Sequence, residues 1–351
     1  MIIFRTDANS DIATGHMVRS IAIANECHAH GEAVCFVVAD EISAEIMAGF
    51  CRETISHHVE ILDSSYNDME AELPKFIDFL LKKKPKALLL DSYFATSRYI
   101  TSLNDYTRTF YLDDFGNYDM PAAVIIDYTA KANHLQTTRK THENRRTAKY
   151  LLGSMYTPLR EQFRDVKYHV REEVRDIFIS AGGSDIGNMT GELLELIQEM
   201  TADGIRFHVV VGIVNPHRDR LRAQFAAVAN IIFYENVSEM ASLMQECDIA
   251  ITAAGSTICE LCAVGVPTIC FTVADNQVTN AEGLSAAGAV IYVGSQQDDK
   301  EGEDSKSVAG DIKAHLFALI GDFPRRTSMS AQMRSIVDGQ GASRIAKELM
   351  G

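Results

Sequence analysis

Short apolar runs recur along this chain, each followed by a turn and then a stretch with helical spacing, and the alternation continues through both halves. Strands are read at residues 1–5, 33–39, 87–91, 109–112 and 123–126, then at 176–180, 207–211, 231–234, 249–252, 268–272 and 290–293. Such runs of Val, Ile and Leu with little polar alternation suit strands covered on both faces, and the helical stretches supply the crossovers that parallel strands require. The expected fold class is therefore α/β, with two doubly wound Rossmann-like domains. A length of 351 residues accommodates two cores. Residues 1–157 are assigned to the first domain and 158–351 to the second, with the last helix able to cross back to the first. The stretch 150–175, charged and weakly periodic in its later part, reads as the crossover, and closing helices are read near 315–320 and 328–350.

Charge excludes some partners. The formal net charge of −15 argues against a nucleic-acid surface or an anionic membrane, both normally held by clustered Lys and Arg. No apolar run reaches the length of a membrane span. The seven cysteines are an odd number placed mostly in apolar runs, and the chain starts on a core strand without a leader pattern, so a reduced, cytoplasmic protein is expected. Cys259 and Cys262 form a CxxC, but no second pair stands at zinc spacing and the pair lies in a helical pattern, which favours buried packing. The acidic run within 294–311 reads as a solvated loop.

Three strand, turn and helix junctions carry the candidate chemistry. The first runs from the N-terminal strand through Asp7 and Gly15 to His16 and Arg19, placing one histidine at a helix mouth. Helix mouths attract anions through unpaired N–H groups and the helix dipole. The same field disfavours an imidazolium, so a neutral imidazole able to take a proton is expected there. A lone histidine in this position is more often a packing or capping residue, and the rest of the chain has to raise the reading. The second junction is Gly182-Gly183-Ser184-Asp185, which allows close approach of a pyrophosphate or simple closure of a turn. The third is Gly255-Ser256-Thr257 with Glu260 one helical turn on: Ser256 and Thr257 are expected to cap the helix and bond phosphate oxygens, and Glu260 suits ribose hydroxyls. Asn276 and Gln277 open a further helix, where an amide pair can cap or reach a ligand. Asp91-Ser92-Tyr93 and Asp113-Asp114 also end strands, a position where aspartate usually caps the next turn. Ligands of open α/β sheets sit beyond the carboxyl ends of strands, so two facing domains are expected to share one cleft.

Taken together these residues resemble the bacterial family of nucleotide-sugar hydrolases that release UDP from UDP-2,4-diacetamido-2,4,6-trideoxy-β-L-altrose in pseudaminic acid synthesis, related in fold to the glycosyltransferase that forms lipid II. The resemblance spans nearly the whole chain. It is carried by Arg5, Asp7, Gly15, His16 and Arg19, by Asp91-Ser92-Tyr93, by Leu152-Gly153-Ser154-Met155-Tyr156, by Gly182-Gly183-Ser184-Asp185, by Gly255-Ser256-Thr257 with Glu260, and by Asn276-Gln277. It implies a GT-B arrangement, with the nucleotide on the C-terminal domain and the sugar presented to the N-terminal one. It further implies His16 as the base that activates water at the anomeric carbon, and Asp7, Gly15, Arg19, Tyr93, Tyr156, Asn276 and Gln277 as substrate contacts. Gly182, Gly183, Ser184, Gly255, Ser256, Thr257 and Glu260 fall to the nucleotide. Neither a metal nor a cofactor is needed in that scheme, since helix-mouth amides take up the leaving-group charge. Two other readings remain open: a glycosyltransferase of the same architecture using a nucleotide-sugar donor, and a binding protein that holds a nucleotide sugar without chemistry. The oligomeric state is not addressed by any residue pattern.

Overall fold

The computed structural model describes residues 1–51, 58–116, 118–137, 148–198, 204–212, 214–296 and 307–351. The chain divides into two compact units, residues 1–161 with 339–351, and residues 162–338.

In the first unit, β1 (Ile2–Thr6) is followed by α1 (Gly15–Ala29), β2 (Val34–Val38), α2 (Glu41–Cys51), β3 (His58–Ile61), α3 (Met69–Lys83), β4 (Ala87–Asp91), α4 (Ser97–Asn104), β5 (Arg108–Leu112), β6 (Val124–Asp127), α5 (Ala132–Thr137) and β7 (Lys149–Leu152). The strands form a seven-stranded sheet in the order β3-β2-β1-β4-β5-β6-β7, and each pairing is parallel. Side chains alternate across it. Ile2, Phe4, Leu89, Phe110 and Ile126 pack towards α1, whereas Ile3, Val37, Leu88, Leu90 and Ile125 pack towards α3 and α4. Because both faces are covered, the middles of the central strands are apolar and their runs look continuous in sequence, with the polar residues at strand ends.

The second unit contains β8 (Asp176–Ser180), α6 (Met189–Ile197), β9 (Arg206–Val210), α7 (Arg218–Gln224), β10 (Ile231–Tyr234), α8 (Met240–Gln245), β11 (Ile249–Ala253), α9 (Ser256–Val264), β12 (Thr268–Thr272), α10 (Asp275–Ala286), β13 (Val290–Ser295), α11 (Val308–Gly321) and α12 (Phe323–Ile336). Its six-stranded sheet runs β10-β9-β8-β11-β12-β13, again parallel throughout. The expected α/β class with two Rossmann-like domains is what the chain adopts.

The final helix, α13 (Gly341–Met350), belongs to the first unit. Its Ala342, Ile345, Ala346 and Leu349 share one core with Met17, Ile21 and Ala24 of α1. Close approach requires glycine at its start, because a Cβ on Gly341 would stand 2.1 Å from the carbonyl oxygen of Thr157.

Three expectations need correction. The helix read over 328–350 is two helices, broken where Val337 turns extended and Gly339 takes φ +72°. The stretch 150–158 read as crossover contributes β7, the edge strand of the first sheet. A further strand, β3, was not read at all: at the opposite edge it is only four residues long and mostly half-buried, so its hydrophobic signal is weak. Most of the acidic run expected as a solvated loop, residues 297–306, lies outside the described residues.

In each sheet the strand order reverses beside the first strand, between β1 and β4 and between β8 and β11. Loops leaving those strands diverge, and a crevice opens at their carboxyl ends. His16, Asp91, Gly182 and Gly255 all lie on those loops or just beyond them.

Candidate active site

His16 is the second residue of α1 and only 4% exposed. Thr14 supplies no side-chain cap, so the first amides of α1 carry no such partner, and a Cβ on Gly15 would meet nothing within 4 Å. The imidazole points across β1 to the end of β4, where Nδ1 lies 2.5 Å from Oδ1 of Asp91. Nη2 of Arg19 also lies 3.0 Å from Nδ1, but a carboxylate can only accept, so the short contact to Asp91 assigns the proton to Nδ1 and leaves Nε2 as the acceptor. That Nε2 is buried and has no hydrogen-bond partner. Tyr93, two residues beyond Asp91, stands edge-on to the ring with centroids 4.3 Å apart.

Asp91 is itself clamped. Arg19, one turn along α1, donates from Nε to its Oδ2 at 2.7 Å and from Nη2 to Oδ1, and Ser20 donates at 3.1 Å. The far side of the guanidinium grips Asp114 at 2.8 and 2.9 Å and reaches the hydroxyl of Tyr128. Burial alone would raise the Asp91 carboxyl; Arg19 and then His16 overcome it and hold Asp91 well below the usual carboxylate range. Asp91 is thus a permanent anion whose remaining role is to orient the imidazole and stabilise the positive charge that forms when Nε2 takes a proton. Arg19, expected as a substrate contact, has its donors turned to protein carboxylates.

Asp7 is likewise engaged from within: its oxygens accept from Arg5 Nη1 at 2.6 Å and from the amide of Ala39 at 2.7 Å. Arg5 also forks onto Glu72 through Nε and Nη2, both at 2.8 Å, and Glu72 accepts from Ser64 and Tyr99. The network ties the ends of β1 and β2 to α3. Tyr156 packs against the core shared by α1 and α13.

Asp113 follows the usual strand-end pattern, since its Oδ1 accepts from the amide of Phe115 at 3.0 Å. Its Oδ2 is buried without a partner. Burial first, and Asp127 across the strand pair, push the carboxyl from 3.8 to about 6, although the Phe115 amide opposes them. A raised carboxyl binds its proton more tightly in the folded state, so ionisation costs stability above about pH 6 and the cost vanishes as pH falls towards 3.8. Asp113→Asn is accordingly expected to stabilise the first unit by roughly 1–3 kcal/mol at pH 8. The gain should disappear near pH 4 in thermal unfolding; equal gains at both pH values would contradict the assignment.

In the second unit the glycine junctions do different work. The buried carboxylate of Asp185 accepts from the amides of Met189 at 2.8 Å and Thr190 at 3.1 Å, filling the mouth of α6 with the protein's own anion. Gly182 has φ +91°, and a Cβ on Gly212 would lie 2.0 Å from the carbonyl oxygen of Gly183. Tight closure therefore explains this turn, in which Ser184 is half-buried. The mouths of α9 and α10 differ: their N-cap residues, Gly255 and Ala274, provide no side-chain cap. Ser256 is the first helical residue of α9, which corrects the expectation that it caps the helix. Nearest to a Cβ on Gly255 would be Nε2 of Gln277, 3.6 Å away, so the start of α10 lies beside that of α9. Gln277 uses its Oε1 to accept from Val273 at 3.0 Å. Ser256 and Asn276 are exposed at these mouths, Thr257 is half-buried, and Glu260 is buried one turn into α9. Two adjacent helix starts whose N-cap residues give no side-chain cap are an arrangement that attracts anions.

Sequence reasoning missed the pairing of Asp91 with His16, the clamp formed by Asp114 and Tyr128, and the cap made by Asp185. Cys259 and Cys262 are buried in α9, where burial pushes Cys259 up to about 12 and raises Cys262 well above the usual thiol range. Among the described residues no helix is long and apolar enough to cross a membrane.

Residues 178–303 match the glycosyltransferase family 28 C-terminal domain. The chain is 24% identical over 199 residues to the spore coat polysaccharide biosynthesis protein SpsG of Bacillus subtilis, covering 55% of this chain and 56% of that one. It is 31% identical over 171 residues to the UDP-N-acetylglucosamine--N-acetylmuramyl-(pentapeptide) pyrophosphoryl-undecaprenol N-acetylglucosamine transferase of Thiobacillus denitrificans, covering 47% of this chain and 44% of that one. The matches span about half the length of these curated relatives. The crystal structure of Acinetobacter baumannii MurG superposes with a TM-score of 0.69 at 12% identity, covering 99% of each chain. The fold is that of the GT-B glycosyltransferases. These findings overturn the hydrolase reading: the matched domain model is that of a glycosyltransferase family, and the named relative is an N-acetylglucosamine transferase.

Proposed function

We propose that this chain is a glycosyltransferase that moves a sugar from a UDP-linked donor to an acceptor hydroxyl, with His16 as general base. The observation that carries the reading is the buried, unpartnered Nε2 of His16, fixed as an acceptor by Asp91 at the reversal point of the first sheet. Nε2 removes the acceptor's hydroxyl proton as that oxygen attacks the anomeric carbon. The bond from carbon to the diphosphate oxygen breaks, and its electron pair leaves on UDP. Developing negative charge on the diphosphate is met by the uncapped amides of α9 and α10, with Ser256, Thr257 and Gly255 at the phosphates and Glu260 on the ribose. Gly182, Gly183 and Ser184 shape the neighbouring turn. In the second unit Asn276 faces the diphosphate, and in the first the amides at Gly15 face the sugar. UDP as the nucleotide is supported by the donor named for the Thiobacillus relative.

The test is turnover with a panel of UDP-sugars, with and without a panel of alcohol and sugar acceptors. UDP should appear only when an acceptor is present, with the donor sugar recovered in glycosidic linkage to it. UDP released equally fast without any acceptor, or binding without turnover over hours, contradicts the proposal.

A further inference from the structure

Transfer needs a place for the acceptor, and the loops around His16 contain aromatic side chains that the chemistry above does not use. Tyr93 touches the imidazole on one side and Phe115 on the other, with the second pair of centroids 5.2 Å apart and tilted by 58°. Phe115 is 62% exposed and Phe94 is 36% exposed. Phe94 in turn meets Tyr66, whose hydroxyl donates to Asp11 at 2.6 Å. Single exposed apolar side chains are ordinary on a surface, but these two adjoin further aromatic rings, and contiguous apolar surface marks binding sites. Their backbones are fixed locally: the amide of Phe115 donates to Asp113 and that of Phe94 to the hydroxyl of Ser92 at 3.2 Å.

We propose that Phe115 and Tyr93, flanked by Phe94, form a stacking platform for the ring of a neutral sugar, and that this ring is the acceptor of the transfer reaction. The inference rests on the transfer reading and names its acceptor class. Continuity with His16 places the platform next to the reacting nitrogen. Charge selects a neutral occupant: Arg19 is committed to Asp91 and Asp114, and the acidic group beside the aromatics, Asp11, repels a phosphorylated or carboxylated acceptor. A pyranose ring offers a C–H face to the phenyl groups and hydroxyls to the neighbouring carboxylate and phenol, a combination that a purely apolar alcohol does not use.

The experiment is saturation-transfer NMR with UDP-saturated protein and three probes: methyl glycosides of neutral hexoses and N-acetylhexosamines, cyclohexanol, and hexose phosphates. The glycosides should bind best, with transfer strongest to ring C–H protons. Phe115→Ala should weaken them by roughly three- to tenfold, the size of one aromatic contact, with UDP affinity unchanged. Phe115→Tyr should restore the binding. Glycoside binding unaffected by Phe115→Ala, weakened UDP-sugar donor affinity in that variant, or preference for cyclohexanol or the phosphates would each overturn the platform. Glycoside binding that depends on Phe115 in a protein without turnover would keep the platform and remove only the transferase reading.

Discussion

His16→Ala should lower turnover by about 10²- to 10⁴-fold, the usual contribution of a general base, while UDP affinity stays within about twofold of the parent. The two effects separate because the base sits on α1 of the first unit, whereas the uncapped helix starts assigned to the diphosphate are α9 and α10 of the second. The variant should also fold. Losing the imidazole removes one partner of Asp91, but Arg19 and Ser20 still donate to it, so no buried charge is stranded. Steady-state kinetics and a UDP titration on the same preparation check both halves. A variant with most of its activity intact would remove His16 from the chemistry; one that also loses UDP would make its role binding.

Arg5→Ala should destabilise the first unit by about 3–5 kcal/mol, the cost of breaking a buried ion pair from one side. Arg5 is 0% exposed and answers two carboxylates, Asp7 and Glu72, each buried. Alanine would leave both with too few donors, since Ala39 serves Asp7 and Ser64 and Tyr99 serve Glu72 but none carries charge. The strong charge pairing is also why Arg5, despite full burial, is driven further towards its protonated form. Loss should appear in chemical denaturation as an early transition of the first unit, with the second unit's transition in place. A shift below about 1 kcal/mol would mean the network is no more than surface-like in value.

The expected strands in the sheet interiors were legible because two covered faces demand unbroken apolar runs, as in Ala87–Asp91 and Ile249–Ala253. Two of the four edge strands escaped that logic: β3 carries His58 and Glu60 and β7 begins on Lys149, whereas the edges of the second sheet, β10 and β13, begin on apolar runs and were read. The break between α12 and α13 was signalled by Gly339, but helical spacing on either side masked it. At the site, His16 could be read from its junction, and Gly255 from the helix start that follows it. Asp91 could not be assigned, since 75 residues separate it from His16 and only the placement of β4 beside β1 brings them together. Nor does a glycine pair reveal whether a helix mouth is open; Asp185, read as part of the same turn, closes that of α6.

A structure of the chain with UDP and a sugar acceptor bound tests the central claim most directly, through the separation of His16 Nε2 from the acceptor oxygen. The expected separation is about 2.6–3.2 Å, with Nδ1 still on Asp91. An imidazole remote from the acceptor, with Nε2 still enclosed by the protein, would contradict it.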